Sequence, residues 1–258
     1  MTYDFLSLAR KAADAAAEVL LAERPRVIAE GPRKTKSSKT DPVTVADEAS
    51  QSIIGDIILG ERADDGIVAE EEGFSRTGST GWVWFVDPLD GTVNYIYGRD
   101  QWSVSIAVKN PDGATVAGVV LAPALGRTYT AVRGQGSWLD GERLAVRPGT
   151  TLALAVVGTG FSYKADIRAA QAAVLSRVLP AVADIRRCGS AALDLADVAS
   201  GRIDAFYEND LSEWDWAAGA LLATEAGAVV EELPGPRGKT GIVAATPALA
   251  GPLGELLR

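Results

Sequence analysis

The stretch Trp84–Tyr95, WFVDPLDGTVNY, constrains this chain more than any other. The apolar run Trp82–Val86 reads as a strand and leads straight into Asp87, Pro88, Asp90 and Gly91. Such a strand carries Asp87 at its tip. Proline fixes the backbone there, and glycine lets the chain turn and a ligand come close. A short helix beginning at Asp90 would leave the N–H groups of Gly91 and Thr92 free at its positive end, a seat for phosphate. Two carboxylates beside that seat repel a phosphate unless a divalent cation lies between them. Taken alone, the stretch also fits an Asp-Pro turn with an Asp helix cap.

Two further acidic stretches favour the metal reading. GIVAEEEGF, Gly66–Phe74, is a short apolar strand ending in Glu70, Glu71 and Glu72. Like charges crowded in this way are costly without a cation nearby, although a solvated acidic turn is the plainer reading. SEWDWAAG, Ser212–Gly219, sets Asp215 between two tryptophans at a helix start, as an N-cap or as a further ligand.

Composition narrows the chemistry. The 258 residues contain no histidine and one cysteine, Cys188. That excludes Ser–His and Cys–His nucleophile pairs, imidazole metal ligands and an intrachain disulfide. Catalysis is left to carboxylates, hydroxyls, lysines, backbone and bound metal, and an acid-rich donor set favours Mg²⁺ over zinc. The net charge of −9 argues against a nucleic-acid or anionic-membrane partner. MTYDFLSLAR is not a signal peptide, and no apolar run reaches membrane-helix length, so a cytoplasmic location is expected.

Strand and helix patterns alternate along the chain, with an antiparallel-looking meander in the middle. Helices are expected over residues 4–22, after a capping box at Thr44 and Asp47, over 164–179, after Ser190, from Asp215 to Gly227, and from Pro247 onward. Arg24–Thr40 reads as a basic surface loop, from which Lys36 could approach an anion. Strands are expected at Ser103–Val108, Thr115–Pro123, Arg127–Val132 and Leu152–Gly160, and at DIRRCGS, DAFYE and AVVEEL. No linker divides the chain, so one layered α/β domain is expected, with an N-terminal half to about residue 145 and a C-terminal half from about 146.

These motifs together resemble the inositol monophosphatase family of Mg²⁺-dependent, lithium-sensitive phosphatases. WFVDPLDGTVNY is similar to its first signature, WDWAAGALLATEAGAVV to its second, and AEEEGF and KSSKTDPVTVADEA to its glutamate and upstream motifs, in order along nearly the whole chain. The resemblance implies an αβαβα sandwich with the site between its halves, two or three Mg²⁺ ions and a homodimer. It implies Glu70, Asp87, the Leu89 carbonyl, Asp90 and Asp215 as metal ligands, and Glu70 and Thr92 as the pair orienting the attacking water. Asp47 and Lys36 match positions tied to a mobile loop and a weaker third metal.

RRCGSAALDLADVASGRIDAFYE looks like the inositol type. There Gly189, Ser190 and Ala191 contact ring hydroxyls, Glu208 binds them as a carboxylate, and Asp90 and Asp215 border the substrate. The implied function is hydrolysis of an inositol monophosphate. Histidinol phosphate, fructose 1,6-bisphosphate and 3′-phosphoadenosine 5′-phosphate are the alternatives on the same scaffold. A second alternative is an accessory protein of transcription or ribosome assembly, but such a chain would be free to lose Asp90 or Asp215. One departure stands out: Asn209–Glu213 is unusually acidic, and Asp210 and Glu213 are expected to alter selectivity, for instance toward an amine-bearing substrate such as histidinol phosphate.

Overall fold

The computed structural model describes residues 4–32, 34–35, 42–235 and 239–258. In chain order its elements are α1 Phe5–Glu30, β1 Lys34–Thr35, β2 Pro42–Val43, α2 Val45–Glu61, β3 Gly66–Ala69, β4 Val83–Asp90, α3 Thr92–Ile96 and β5 Ser103–Lys109. Then come β6 Thr115–Ala122, β7 Arg127–Val132, β8 Gly136–Leu139, β9 Glu142–Arg143, β10 Val156–Thr159, α4 Ala165–Val178 and β11 Asp184–Arg186. The chain closes with α5 Ala191–Ala199, β12 Ala205–Leu211, α6 Glu213–Glu225, β13 Val229–Pro234, β14 Thr240–Ala245 and α7 Pro247–Leu257.

Two mixed sheets carry the architecture. The larger runs β3-β4-β5-β6-β7-β8-β9 and is antiparallel except for the parallel pair β3–β4. The smaller runs β11-β10-β12-β14-β13, parallel over its first three strands.

Alternation along the strands assigns the layers. On β4, Trp84 and Val86 face α1 and α2, where Ala12, Ala13, Ala16, Ile54 and Ile58 are buried, while Phe85 faces the opposite way. On that other side Phe85, Val120 and Tyr129 pack on Ala192, Ala196, Ala218 and Leu222 of α5 and α6. The reverse faces of α5 and α6 then meet Phe206, Ile242 and Ala244 of the second sheet. Tyr207, Val243 and Val157 on its far side are covered by Leu249 and Leu253 of α7 and Val178 of α4. The layers therefore run α, β, α, β, α. No helix among the described residues is long and apolar enough to cross a membrane.

The structure corrects several expectations. Residues 24–30 are the last turns of α1, not loop. Pro25 is tolerated because burial of Val27 and the grip of Arg24 on the Arg99 carbonyl (2.7 Å) and Asp100 (2.9 Å) continue the packing beyond it. Lys36 and most of the remaining basic segment lie outside the described residues. The strand expected at Leu152–Gly160 begins only at Val156, because Leu152–Leu154 form a 3₁₀ turn that leaves Leu154 exposed. Strand pairing with β11 and β12 starts only after that turn. The strands β8, β9 and β14 were not anticipated from the sequence, and β12 runs three residues beyond Glu208.

Candidate active site

Four acids reach one cavity from three directions. Glu70 follows β3 and is tied to β4 by its N–H, which donates to the Val86 carbonyl at 3.2 Å. Asp87 and Asp90 bracket the bulge that ends β4. Asp215 stands in the first turn of α6. They share a cavity of about 410 Å³ with Leu89, Gly91, Thr92, Gly189, Ala191 and Glu208.

The bulge is held by local bonds. Ser50 of α2 donates its hydroxyl to the Pro88 carbonyl at 2.8 Å, and Asp87 Oδ1 accepts the Leu89 N–H at 3.0 Å. Gly91 then turns with φ +91°, and a Cβ there would lie 2.9 Å from the Gln101 carbonyl oxygen, so only glycine fits without displacement. The helix that follows begins at Thr92, not at Asp90. Asp90 is still paired in the sheet with Ser103, and its carboxylate serves another helix. Its Oδ2 accepts the Ser190 hydroxyl at 2.6 Å and the Ala192 N–H at 2.8 Å, closing the start of α5.

Asp215 and Asp47 carry the same double duty. Asp215 Oδ2 accepts the Ser212 N–H at 2.6 Å in a capping box at α6; Ser212, and not Asp215, is the N-cap. Asp47 closes the expected box at α2 by accepting the Thr44 N–H at 2.8 Å. Its other oxygen lies 3.0 Å from the Thr92 hydroxyl, which is also 3.1 Å from the Leu89 carbonyl. Asp47 is thus buried behind Thr92 and outside the cavity wall.

Electrostatics single out the acidic cluster. The Asp87 carboxyl is pushed well above its usual range by burial first, then by the charges of Glu70, Asp90 and Asp215. Asp215 is raised well above its usual range by burial and by Glu70. Asp90 is raised to about 6, burial outweighing the hydrogen bonds from Ser190 and Ala192 that pull it down. Among the described residues no three acidic, cysteine or histidine side chains stand grouped as a ready-made ligand cage. The donor chemistry still fits a hard divalent cation: oxygen atoms only, like-charged, and withdrawn from water.

The other end of the cavity is shaped by Glu208, whose carboxyl lies against Gly160. A Cβ on Gly160 would stand 1.8 Å from Glu208 Oε2. Burial raises this carboxyl to about 8, with Arg187 as the opposing influence. Burial thus favours the protonated form of Glu208 over the ionised carboxylate. Gly189 and Ala191 line the cavity; Ser190 does not, its hydroxyl being engaged by Asp90 and by the Leu193 N–H at 3.3 Å. Asp210 lines the cavity, but Glu213 is turned away and paired with Lys109.

Sequence reasoning overlooked Lys164, Arg187 and Lys239 on the cavity wall. It also overlooked Asn94, whose amide donates to the carbonyls of Gln101 (2.6 Å) and Cys188 (2.8 Å) and joins the two sides of the site. The doubled arginine of RRCGS was the available signal for Arg187, and the place of Asn94 inside WFVDPLDGTVNY was the signal for that residue.

Comparison with known proteins shows the family. The family model described as "Inositol monophosphatase family" matches residues 3–256. The inositol-1-monophosphatase of Mycobacterium leprae is 44% identical over 232 residues, 85% of this chain and 79% of that protein. The Nus factor SuhB of Escherichia coli is 40% identical over 202 residues, 78% of this chain and 75% of that protein. The crystal structure of the extragenic suppressor protein suhB from Bartonella henselae superposes with a TM-score of 0.87 at 32% identity, over 98% of this chain and 97% of that one. The chain belongs to the inositol monophosphatase family.

Proposed function

We propose that this phosphatase hydrolyses an inositol monophosphate with the help of Mg²⁺. The observation that carries the reading is a single cavity with Glu70, Asp87, Asp90 and Asp215 at one end and Glu208 at the other. Glu70, Asp87, the Leu89 carbonyl, Asp90 and Asp215 would hold the ions. When bound, divalent cations neutralise phosphate charge and lower the pKa of water.

The chain's own groups do the rest. Glu70 and Thr92 orient the attacking water in line with the phosphorus. Asp47 and the Leu89 carbonyl fix the rotation of the Thr92 hydroxyl. The N–H groups of Gly91 and Thr92 face the phosphate oxygens as charge develops. Glu208, Gly189 and Ala191 receive the ring. A protonated Glu208 can both donate to and accept from ring hydroxyls.

The test is Mg²⁺-dependent phosphate release from inositol 1-phosphate, histidinol phosphate, fructose 1,6-bisphosphate and 3′-phosphoadenosine 5′-phosphate, with Asp90→Asn as the blank. Preference for inositol 1-phosphate is expected. Preference for another ester would keep the metal site and replace the substrate. The relatives that carry the name Nus factor support a second reading as an accessory protein, and it is the one left standing if none of the four is hydrolysed.

A further inference from the structure

Beside Glu208 the cavity wall contains a residue in a conformation that its side chain disfavours. Asp210 has φ +69°, in the left-handed region, at the point where the pairing of β12 with β14 shifts register between Glu208 and Leu211. Glycine would adopt this backbone freely. Aspartate here therefore brings something other than the turn, namely a carboxylate.

That carboxylate is fastened to a network through Ser162. The Ser162 hydroxyl donates to Asp210 Oδ2 at 2.6 Å. Ser162 in turn accepts the Lys164 N–H on its hydroxyl at 3.1 Å and the Arg168 guanidinium on its carbonyl at 2.9 Å. Gln171 of α4 accepts the Ser162 N–H at 2.9 Å and donates to Asn209 at its carbonyl (3.1 Å) and its side-chain oxygen (2.8 Å). The loop before α4 and the bulge of β12 are thus one network, with Asp210 and Ser162 both on the cavity wall. Backbone strain persists where the surroundings over-determine it, and it concentrates where ligands are held.

We propose that Asp210 is a specificity-determining residue of this enzyme, accepting hydrogen bonds from hydroxyls at the end of the substrate remote from its phosphate. This rests on the reading of the site as a polyol-phosphate phosphatase. One Asp210 oxygen is engaged by Ser162, and a carboxylate retains further lone pairs for a donor. A carboxylate there accepts from ring hydroxyls and disfavours a second phosphate.

The experiment compares wild type with Asp210→Gly, Asp210→Asn and Ser162→Ala on inositol 1-phosphate, fructose 1,6-bisphosphate and p-nitrophenyl phosphate, with melting curves as a check of folding. Asparagine tolerates the left-handed backbone and removes only the charge. The Asp210 variants are expected to lower kcat/KM for inositol 1-phosphate relative to the aryl ester by about tenfold, chiefly through KM, and to narrow the gap to the bisphosphate. Ser162→Ala releases the same carboxylate without removing it, so it should shift the ratio in the same direction but by less. An unchanged ratio in both Asp210 variants, or a larger ratio change in Ser162→Ala than in either of them, overturns the proposal. If the wild type itself does not prefer inositol 1-phosphate, the substrate reading fails instead. The ratio is then taken with histidinol phosphate, which also carries a hydroxyl-free amine end, and a tenfold fall for that ester too would overturn the hydroxyl assignment.

Discussion

Glu208 shows how much a single carboxyl depends on its enclosure. Burial raises its carboxyl from the usual 4.5 to about 8 in the folded protein. Stability tied to this group is fully present below about pH 4.5 and is lost as pH rises through 8. Glu208→Gln copies the protonated form. Its melting temperature should therefore overtake that of the wild type by an increasing margin between about pH 5 and 9, at roughly 2–4 °C per kcal/mol. A constant offset across that range would mean the proton is not held. Asp90→Asn should abolish turnover while the melting temperature stays within a few degrees, since an amide oxygen can still accept from Ala192. Near-full activity would remove Asp90 from the metal site. The acids themselves were legible in the sequence because DPLDGT and WDWAAG carry them in short, dense motifs. The protonation of Glu208 was not, because it requires Gly160, distant in sequence, to admit the carboxyl.

Among the elements, α2 was read best. Thr44 and Asp47 announce its start, and the structure contains the box. Thr44→Ala should cost about 1 kcal/mol and leave turnover largely intact. Asp47→Ala should cost more and also depress kcat, because Thr92 loses an acceptor that fixes its hydroxyl. Equal kcat values for the two variants would separate Asp47 from the reaction. The elements that were misread share a cause: tertiary contacts override local signals. Pro25 suggests a helix end, but packing around Val27 carries α1 through it. β12 was expected to end at Glu208, but its pairing with β14 resumes at Leu211 after a bulge. β14 follows a Pro- and Gly-rich segment and has no polar alternation to mark it as a strand.

At the scale of the whole molecule, the αβαβα layering was accessible through the family motifs, while the strand orders of the two sheets were not, since pairing between distant strands leaves no local mark. The two sides of the site are joined by Asn94 to Cys188 and by Asp90 to Ser190 and Ala192. Calorimetry should accordingly give one cooperative transition for the chain. Asn94→Ala should lower its midpoint and reduce turnover together, by leaving the Cys188 carbonyl without this donor. Two resolved transitions would divide the chain into independently folding halves.

The double duty of the acids bears on how a lineage of such chains can drift. Asp90 closes α5, Asp215 closes α6, and Asp47 closes α2, each in addition to any part in hydrolysis. Against the expectation that an accessory protein is free to lose Asp90 or Asp215, a descendant recruited to a purely scaffolding task would still be selected to retain them, because discarding one loosens a helix start. Intact acids are therefore a record of folding requirements as much as of chemistry, and a silent member of this lineage would be recognised by its turnover, not by its missing residues.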